Sequence, residues 1–277
     1  MEWIILSVAV LNLLLGLGVL VKNRKKFVNL LFAILSFITA VWGFNNFMTG
    51  ISSNPELWLR GAYAWGSLVI TSGLVWIFYL CRIRKVGYYA IILYTVAFFF
   101  FAACFIDGWV IDKIDKVYVG RFDGTTGPLF IWYSMFFLLV GVGLVARIFL
   151  SFLRANGLMK SQLFFVFIGA LLQVSVSLAV SFIFPLFGYF KLMALDYVSS
   201  LFFIGSIAYS ITRYRLMGIR LVMSRIYLYT LLSIFSFSYY LSVFRIGKFF
   251  FNGAFSFPAL LFGAFMAIPF SIFFIKF

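Results

Sequence analysis

Nine long apolar runs, separated by short polar segments, make up most of the chain. Each is close to the length of α-helix that crosses a bilayer hydrocarbon core of about 30 Å. The pattern predicts nine membrane-spanning helices with one sizeable loop, Asp107–Gly127, and short loops elsewhere, among them GISSNPELWLR and SFLRANGLMKSQ. The runs are Trp3–Val21, Phe27–Met48, Gly61–Cys81, Val86–Ile106, Leu129–Leu150, Leu163–Phe187, Leu192–Ile211, Ile226–Phe244 and Phe257–Ile275.

Composition agrees with this pattern. Of the 277 residues, 65% are hydrophobic and 10% are charged, whereas soluble proteins have about 45–50% apolar and about 25% charged residues. So large an apolar excess needs lipid around it, because one soluble core cannot bury it. The predicted fold class is therefore all-α, a polytopic helical bundle whose first partner is the lipid bilayer.

The charges predict an orientation. If the N-terminus lies outside, 15 of the 22 basic residues fall on the cytoplasmic side, as the positive-inside rule requires. All seven acidic residues then fall outside, and the C-terminus lies inside. We therefore expect a multi-pass protein of the cytoplasmic membrane. The net charge of +15 is explained by attraction to anionic inner-leaflet lipid, and no nucleic-acid partner is expected.

Several chemistries are not expected. The chain has no histidine, so it offers no histidine base and no histidine ligand for a metal or haem. Ser175, Ser177 and Ser181 are expected to bond to a carbonyl of their own helix or to a neighbouring helix. Cys81 and Cys104 fall at opposite ends of two spans, too far apart to pair. The sequence thus predicts no catalytic residue, no metal site and no cofactor.

Polar and aromatic residues collect at the outer ends of the predicted spans. One hypothesis is a shallow outward-facing pocket, in which Arg60 and Asp196 supply charge and an asparagine pair supplies hydrogen bonds. An interfacial aromatic belt, with Arg60 as an anchor, explains the same residues equally well. The candidate ligand-binding residues are Asn45, Asn46, Arg60, Tyr63, Gln173 and Asp196.

Three stretches resemble one family. These are GLGVLVKNRKKFVNLLFAILSFITAVWGF at Gly16–Phe44, LWLRGAYAWGSLVITSGLVWIFYL at Leu57–Leu80, and AYSITRYRLMGIRLVMSRIYLYTLL at Ala208–Leu232. Together they resemble the N-terminal seven-transmembrane sensor region of bacterial histidine kinases. The third stretch follows the pattern Y-R-L-x-x-I-R-x-V-x-x-R with which the seventh span of that family ends. The resemblance covers residues 1–232, and residues 233–277 hold the remainder of span eight and span nine.

The resemblance implies a sensory input module without a catalytic domain of its own. It implies that the stretch after the seventh span couples the spans to an output, through Arg213, Arg215, Arg220 and Arg225. Family members normally continue into signalling domains, but this chain stops at Phe277 without a phospho-accepting histidine. We therefore expect either a stand-alone relative that acts through a separate cytoplasmic signalling protein or a truncated reading frame. A small-molecule transporter and a structural membrane protein stay as alternatives.

Overall fold

Helices form over each of the first seven apolar runs. The computed structural model describes residues 2–22, 24–118, 121–187 and 195–214, and residue 216. The eighth and ninth predicted runs and the boundary at residue 232 lie outside these residues. The helices are α1 Glu2–Lys22, α2 Phe27–Ile51, α3 Pro55–Leu80, α4 Val86–Ala103, α5 Phe130–Arg154, α6 Gly157–Leu178, α7 Phe184–Leu186 and α8 Leu195–Tyr214.

In the part of the chain that the structure describes, five helical segments are long and apolar enough to cross a membrane. They are Phe27–Ile51, Pro55–Leu80, Val86–Ala103, Phe130–Arg154 and Gly157–Ile183. Two shorter apolar helical stretches, Ile5–Val21 and Leu195–Ile211, lie in α1 and α8. The prediction of a multi-pass helical membrane bundle is confirmed at this level.

Helix α3 is the centre of the bundle. Of the 18 consecutive residues of α3 that are most apolar, 78% are buried, whereas the share for the corresponding 18 residues of α4 is 22%. It packs against α2, α4 and α5. The small residues Gly66 and Gly73 allow this, since a Cβ at either position would meet Tyr133 or Leu144 of α5 at 3.2–3.3 Å. Small residues at helix contacts are typical of membrane bundles.

The connection between α2 and α3 is shorter than predicted, because only residues 52–54 separate the two helices. The side chain of Asn54 accepts a hydrogen bond from the Leu57 backbone N–H at 3.5 Å, and Pro55 fills the first turn, where a missing N–H costs nothing. The indole Nε1 of Trp58 donates to Ser52 Oγ at 3.0 Å. The predicted loop GISSNPELWLR is therefore wrong for most of its length.

The predicted loop between the fourth and fifth runs contains a β-hairpin. Strand β1 Ile111–Tyr118 pairs antiparallel with strand β2 Arg121–Thr126, with Ile111 opposite Thr126 and Tyr118 opposite Arg121. The hairpin is an addition to a fold that is otherwise helical, as predicted. Strand β1 contacts α2 and α3, so we call the end where α2 finishes and α3 begins the hairpin end.

The sixth predicted span is interrupted. A π-helical turn, Ala179–Ile183, lies between α6 and α7. Pro185 follows this turn and lacks the N–H that would bond to the carbonyl of Ser181 four residues earlier, which weakens regular α-helix at this point. The span also begins at Gly157, so the predicted loop SFLRANGLMKSQ shrinks to two residues between α5 and α6.

The two ends of the bundle carry opposite charges. The connections at the end opposite the hairpin hold only basic charged residues, and those with described side chains are exposed: Arg24, Lys25, Lys26, Arg82, Arg84, Lys85 and Arg154. The acidic residues with described side chains all lie toward the hairpin end: Glu56, Asp107, Asp112 and Asp196. The charge separation counted along the sequence is thus also a separation in space within the described residues.

Candidate functional site

A buried carboxylate, Asp196, lies at the start of α8. Its Oδ2 accepts a hydrogen bond of 2.7 Å from Ser181 Oγ, and its Oδ1 accepts one from Ser177 Oγ. Its position in the first turn of a helix also favours negative charge, because the N-terminal backbone N–H groups carry partial positive charge. Within the described residues the one ion pair is Arg60–Asp107, so Asp196 is held there by neutral hydrogen-bond donors.

Both serines reach the same carboxylate from neighbouring turns, at the point where α6 is interrupted. Ser177 belongs to the last turn of α6, and Ser181 belongs to the π-helical turn that follows. Each serine donates to a different carboxylate oxygen. A carboxylate has about four acceptor positions, so acceptor capacity is left for a further donor.

Asp196 borders a cavity in the middle of the bundle, which we call the central cavity. Its volume is about 70 Å³. A single water needs about 10–15 Å³ of such space, so the cavity has room for several waters or a small ligand. Side chains from α1, α2, α3, α5, α6 and α8 line it, and the polar ones are Asn12, Ser36, Thr39, Gln173, Ser177, Asp196 and Ser200.

A second cavity, the side cavity, lies against Asp196 as well. Its volume is about 40 Å³. Its polar lining residues are Asn46, Tyr63, Tyr133, Ser181, Asp196 and Tyr197. Trp42, Gly66, Phe137 and Asp196 border both cavities. The carboxylate therefore lies where the two spaces approach each other.

Aromatic side chains hold the walls of this region in place. The rings of Trp42 and Tyr197 are 5.0 Å apart, and those of Phe137 and Phe182 are 4.4 Å apart. The hydroxyl of Tyr133 donates to the carbonyl oxygen of Tyr63 at 2.7 Å, which ties α5 to α3. Aromatic pairs of this kind add about 0.5–1.5 kcal/mol beyond the area they bury.

The structure brings some of the predicted binding residues together. Asn46, Tyr63 and Asp196 border the side cavity, and Gln173 borders the central cavity together with Asp196. The amide of Asn46 donates to the carbonyl of Trp42 at 2.7 Å, and that of Asn45 donates to the carbonyl of Val41 at 2.8 Å. Asn45 is buried but does not border either cavity.

Arg60 lies outside both cavities. Its Nη2 is 2.8 Å from Asp107 Oδ1, and its Nη1 donates to the carbonyl of Cys104 at 3.4 Å, just past the end of α4. The guanidinium of Arg60 therefore binds at the C-terminus of α4, where positive charge is favoured. Arg60 and Asp196 therefore do not line the same pocket, although the sequence-based hypothesis placed both charges in one.

Ser177 and Ser181 bond to a neighbouring helix, which is one of the two arrangements expected from the sequence. Their pairing with Asp196 was not predicted, and Asn12 was not among the predicted site residues. The available signal was the four-residue spacing of Ser177 and Ser181, which places them on one face of a regular helix. Nothing in the sequence indicated that the neighbour on that face is Asp196.

The far end of α8 is also tied to α6. The side-chain amide of Gln162 donates to the carbonyl of Tyr214 at 2.6 Å, and Ser210 Oγ donates to the carbonyl of Gln162 at 3.2 Å. Arg213 is exposed in the last turn of α8. The other predicted coupling residues, Arg215, Arg220 and Arg225, lie outside the described residues.

The donor set around Asp196 suits hydrogen bonding rather than metal ligation. Among the described residues no three His, Cys, Asp or Glu side chains gather into a group that could hold a metal ion. Comparison with family models, with curated proteins and with solved structures finds no match to this chain.

Proposed function

We propose that the chain is a signal-input module of the cytoplasmic membrane. It binds a small ligand in the central cavity and passes the occupancy of that cavity along α8 to the arginine-rich stretch at residues 212–225. One observation carries this proposal. Helix α8 supplies Asp196 to the cavity at one end and Arg213 to the opposite end of the bundle.

The distance over which α8 acts matches the task. Arg213 lies seventeen positions after Asp196, which at a rise of 1.5 Å per residue is about 26 Å along the helix. Helix α6 lies alongside and is hydrogen-bonded to α8 at both ends, through Ser177–Asp196 and Gln162–Tyr214. A displacement at the carboxylate therefore moves the far end of the pair.

A ligand can shift this pair only if it binds two arrangements with different affinity. The hydrogen bonds of Ser177 and Ser181 supply a physical basis for two arrangements, since a ligand donor at Asp196 competes with them for the carboxylate oxygens. The π-helical turn lies at the same point. Such turns within α-helices are frequently found at functional sites.

The proposed topology has nine spans, with the N-terminus outside and the C-terminus inside. The basic connections opposite the hairpin support this orientation. On the cytoplasmic face they would meet anionic lipid, an attraction of about 1 kcal/mol for each Lys or Arg near the surface. The resemblance to histidine-kinase sensor regions supports the same topology and a separate cytoplasmic signalling protein as partner.

The test is capture of that partner. A photo-crosslinking amino acid replaces Arg213 in the full chain, and the matched control replaces Tyr88, which is exposed near the same end of the bundle at the start of α4. We expect one cytoplasmic signalling protein to be captured from position 213 and not from position 88, with a yield that changes in the Asp196→Asn variant. Equal capture from both positions would contradict the proposal.

A transporter is the second candidate, and the interrupted α6 favours it. Transporters often place broken helices and a buried carboxylate at the substrate site, and both features occur at Asp196 here. The two candidates separate in proteoliposomes. An input module leaves the internal concentration of a labelled solute unchanged, whereas a transporter moves the solute down its gradient at carrier rates.

A further inference from the structure

We propose that the ligand of the central cavity is a small organic cation, a substituted ammonium whose charge is met by Asp196. This inference rests on the proposed function for the existence of a ligand, and it adds the chemical class. Three features of the cavity carry it: one negative charge, polar groups that face the cavity as acceptors, and aromatic walls.

The charge is the first feature. A carboxylate buried among membrane helices is costly unless it is paired, and such groups mark ligand or ion sites in membrane proteins. The protein supplies Asp196 with two neutral donors, Ser177 and Ser181. The guanidinium of Arg60 is bound to Asp107 instead. A cationic ligand completes the neutralisation that the described residues leave incomplete, and an anionic ligand is repelled.

The polarity of the neighbouring groups is the second feature. Thr39 Oγ donates its hydrogen to the Leu35 carbonyl at 2.8 Å, and Ser200 Oγ donates to the Tyr197 carbonyl at 2.7 Å. Each hydroxyl therefore presents lone pairs to the cavity. The Asn12 amide nitrogen donates to the carbonyl of Val8 at 3.1 Å, which leaves its oxygen as an acceptor. Together with the Asp196 carboxylate, these acceptors favour a ligand that carries N–H donors or positive charge.

The aromatic walls are the third feature. Trp42 and Phe137 border both cavities together with Asp196, and Phe203 borders the central one. Aromatic faces attract alkylammonium groups, and Trp is the strongest of them. Most of the remaining lining is aliphatic, for example Leu15, Val69 and Ile70. A hard metal cation prefers six or more oxygen ligands, so this lining fits an alkylated ammonium better.

The probe is tetramethylammonium, because its charge is fixed at every pH and its size suits a cavity of about 70 Å³. Binding to the purified full-length protein in nanodiscs is measured by titration calorimetry. Neopentyl alcohol serves as a neutral analogue of similar shape, and sodium and potassium chloride serve as inorganic cations. We expect binding of tetramethylammonium and none of the other three at equal concentration.

Two pairs of variants locate the site. Asp196→Asn removes the charge and keeps the shape, and Asp107→Asn is its control at a carboxylate whose side chain is 92% exposed. Trp42→Leu removes an aromatic wall, and Trp132→Leu is its control on the exposed face of α5. We expect Asp196→Asn to weaken binding at least tenfold, which corresponds to about 1.4 kcal/mol, and the two control variants to bind as the unaltered protein does.

A measurement on the unaltered protein covers the case in which Asp196→Asn does not fold. A hydrophobic carbodiimide modifies buried carboxyl groups, and mass spectrometry locates the adduct. We expect tetramethylammonium to protect Asp196 and to leave Asp107 unprotected. Equal binding of neopentyl alcohol, or no protection of Asp196, would overturn the cation proposal and leave the input module standing. Carrier-rate flux of tetramethylammonium in proteoliposomes would have the opposite consequence, since the cation site would stand and the input module would fall.

Discussion

Gln162 and Tyr214 join the first turns of α6 to the last turn of α8, through a hydrogen bond of 2.6 Å from the Gln162 amide to the Tyr214 carbonyl. This bond occupies one of the carbonyls that a helix C-terminus leaves without a partner. It also fixes the position of the last residue of α8, after which the sequence continues into the arginine-rich stretch. The end of α8 is therefore held by a neighbouring helix.

Replacement of Gln162 by Leu tests this contact. We expect a loss of about 1 kcal/mol, the size measured for hydrogen bonds between membrane helices, together with faster amide hydrogen exchange in the last turn of α8. Ser175→Ala is the control, because Ser175 is exposed on the same helix. Unchanged exchange near Tyr214 in Gln162→Leu would show that the contact does not hold this end.

Removal of a serine at the carboxylate has a larger expected effect. Ser181→Ala takes one of two side-chain donors from a buried charge, so we expect a loss of about 1–3 kcal/mol in unfolding free energy. The control is Ser134→Ala, a buried serine that only donates to the Phe130 carbonyl of its own helix. Thermal unfolding in detergent gives both values, and equal losses for the two variants would contradict the role given to Ser181.

A single methyl group tests how closely α6 and α8 approach. A Cβ at Gly169 would lie 2.5 Å from Ser206 Cβ and 2.9 Å from the Phe202 carbonyl oxygen. Because one of these atoms is backbone, the helices must separate, and we expect Gly169→Ala to cost about 1–3 kcal/mol. At Gly143 the nearest atom is 4.0 Å away, so Gly143→Ala should not lower the melting temperature, and it should raise it slightly where alanine favours the helix over glycine. A similar melting temperature for both variants would refute the close approach.

The two partners of the Arg60–Asp107 ion pair should differ in importance. Arg60 is buried and also donates to the Cys104 carbonyl, whereas the Asp107 side chain is 92% exposed. We expect Arg60→Leu to lower stability by about 1–2 kcal/mol and Asp107→Asn to lower it by less than about 0.5 kcal/mol. Thermal unfolding at low and high salt checks this, and equal effects would mean that the exposed pair supplies the stabilisation.

The proposed orientation is tested with single cysteines. In a Cys81→Ala, Cys104→Ala background, a cysteine replaces either Asp112 in the hairpin or Lys26 between α1 and α2. A membrane-impermeant maleimide should label position 112 in intact cells and position 26 only after permeabilisation. The reverse pattern would invert the topology, and it would place the basic connections on the outer face.

Hydrophobic runs were sufficient to predict the helices of the described residues, because lipid solvation acts on each segment separately. The start of α3 at Pro55 was missed although its cap, Asn54 followed by Pro55, is a local signal. The hairpin was missed because the apolar residues Ile111, Ile114 and Val117 of β1 recur at every third position and lack the alternation that indicates a strand. The π-helical turn was missed because Pro185 fixes where regular helix fails but does not determine which alternative forms.

Asp196 was selected from the sequence because a charge near the end of an apolar run stands out. Its partners could not be selected in the same way. Serine is common in membrane helices and usually bonds to its own helix, as Ser134 does. Whether Ser177 and Ser181 turn toward a neighbour depends on which helix packs beside α6, and that choice is made by tertiary contacts. Tertiary contacts also determine that Arg60 and Asp196 lie at different places in the bundle, so this separation could not be predicted from the sequence either.

The central position of α3 has a consequence for how the protein enters the membrane. Of the five long apolar segments, α3 is the most buried and has the lowest mean hydropathy. A segment of this kind gains less from lipid than its neighbours when it leaves the translocation channel. We expect α3 to be retained only in the company of α2 and α4, so these three segments would be integrated together during synthesis. Among these five segments, the one that is most buried in the finished bundle is thus also the one least able to enter the bilayer by itself.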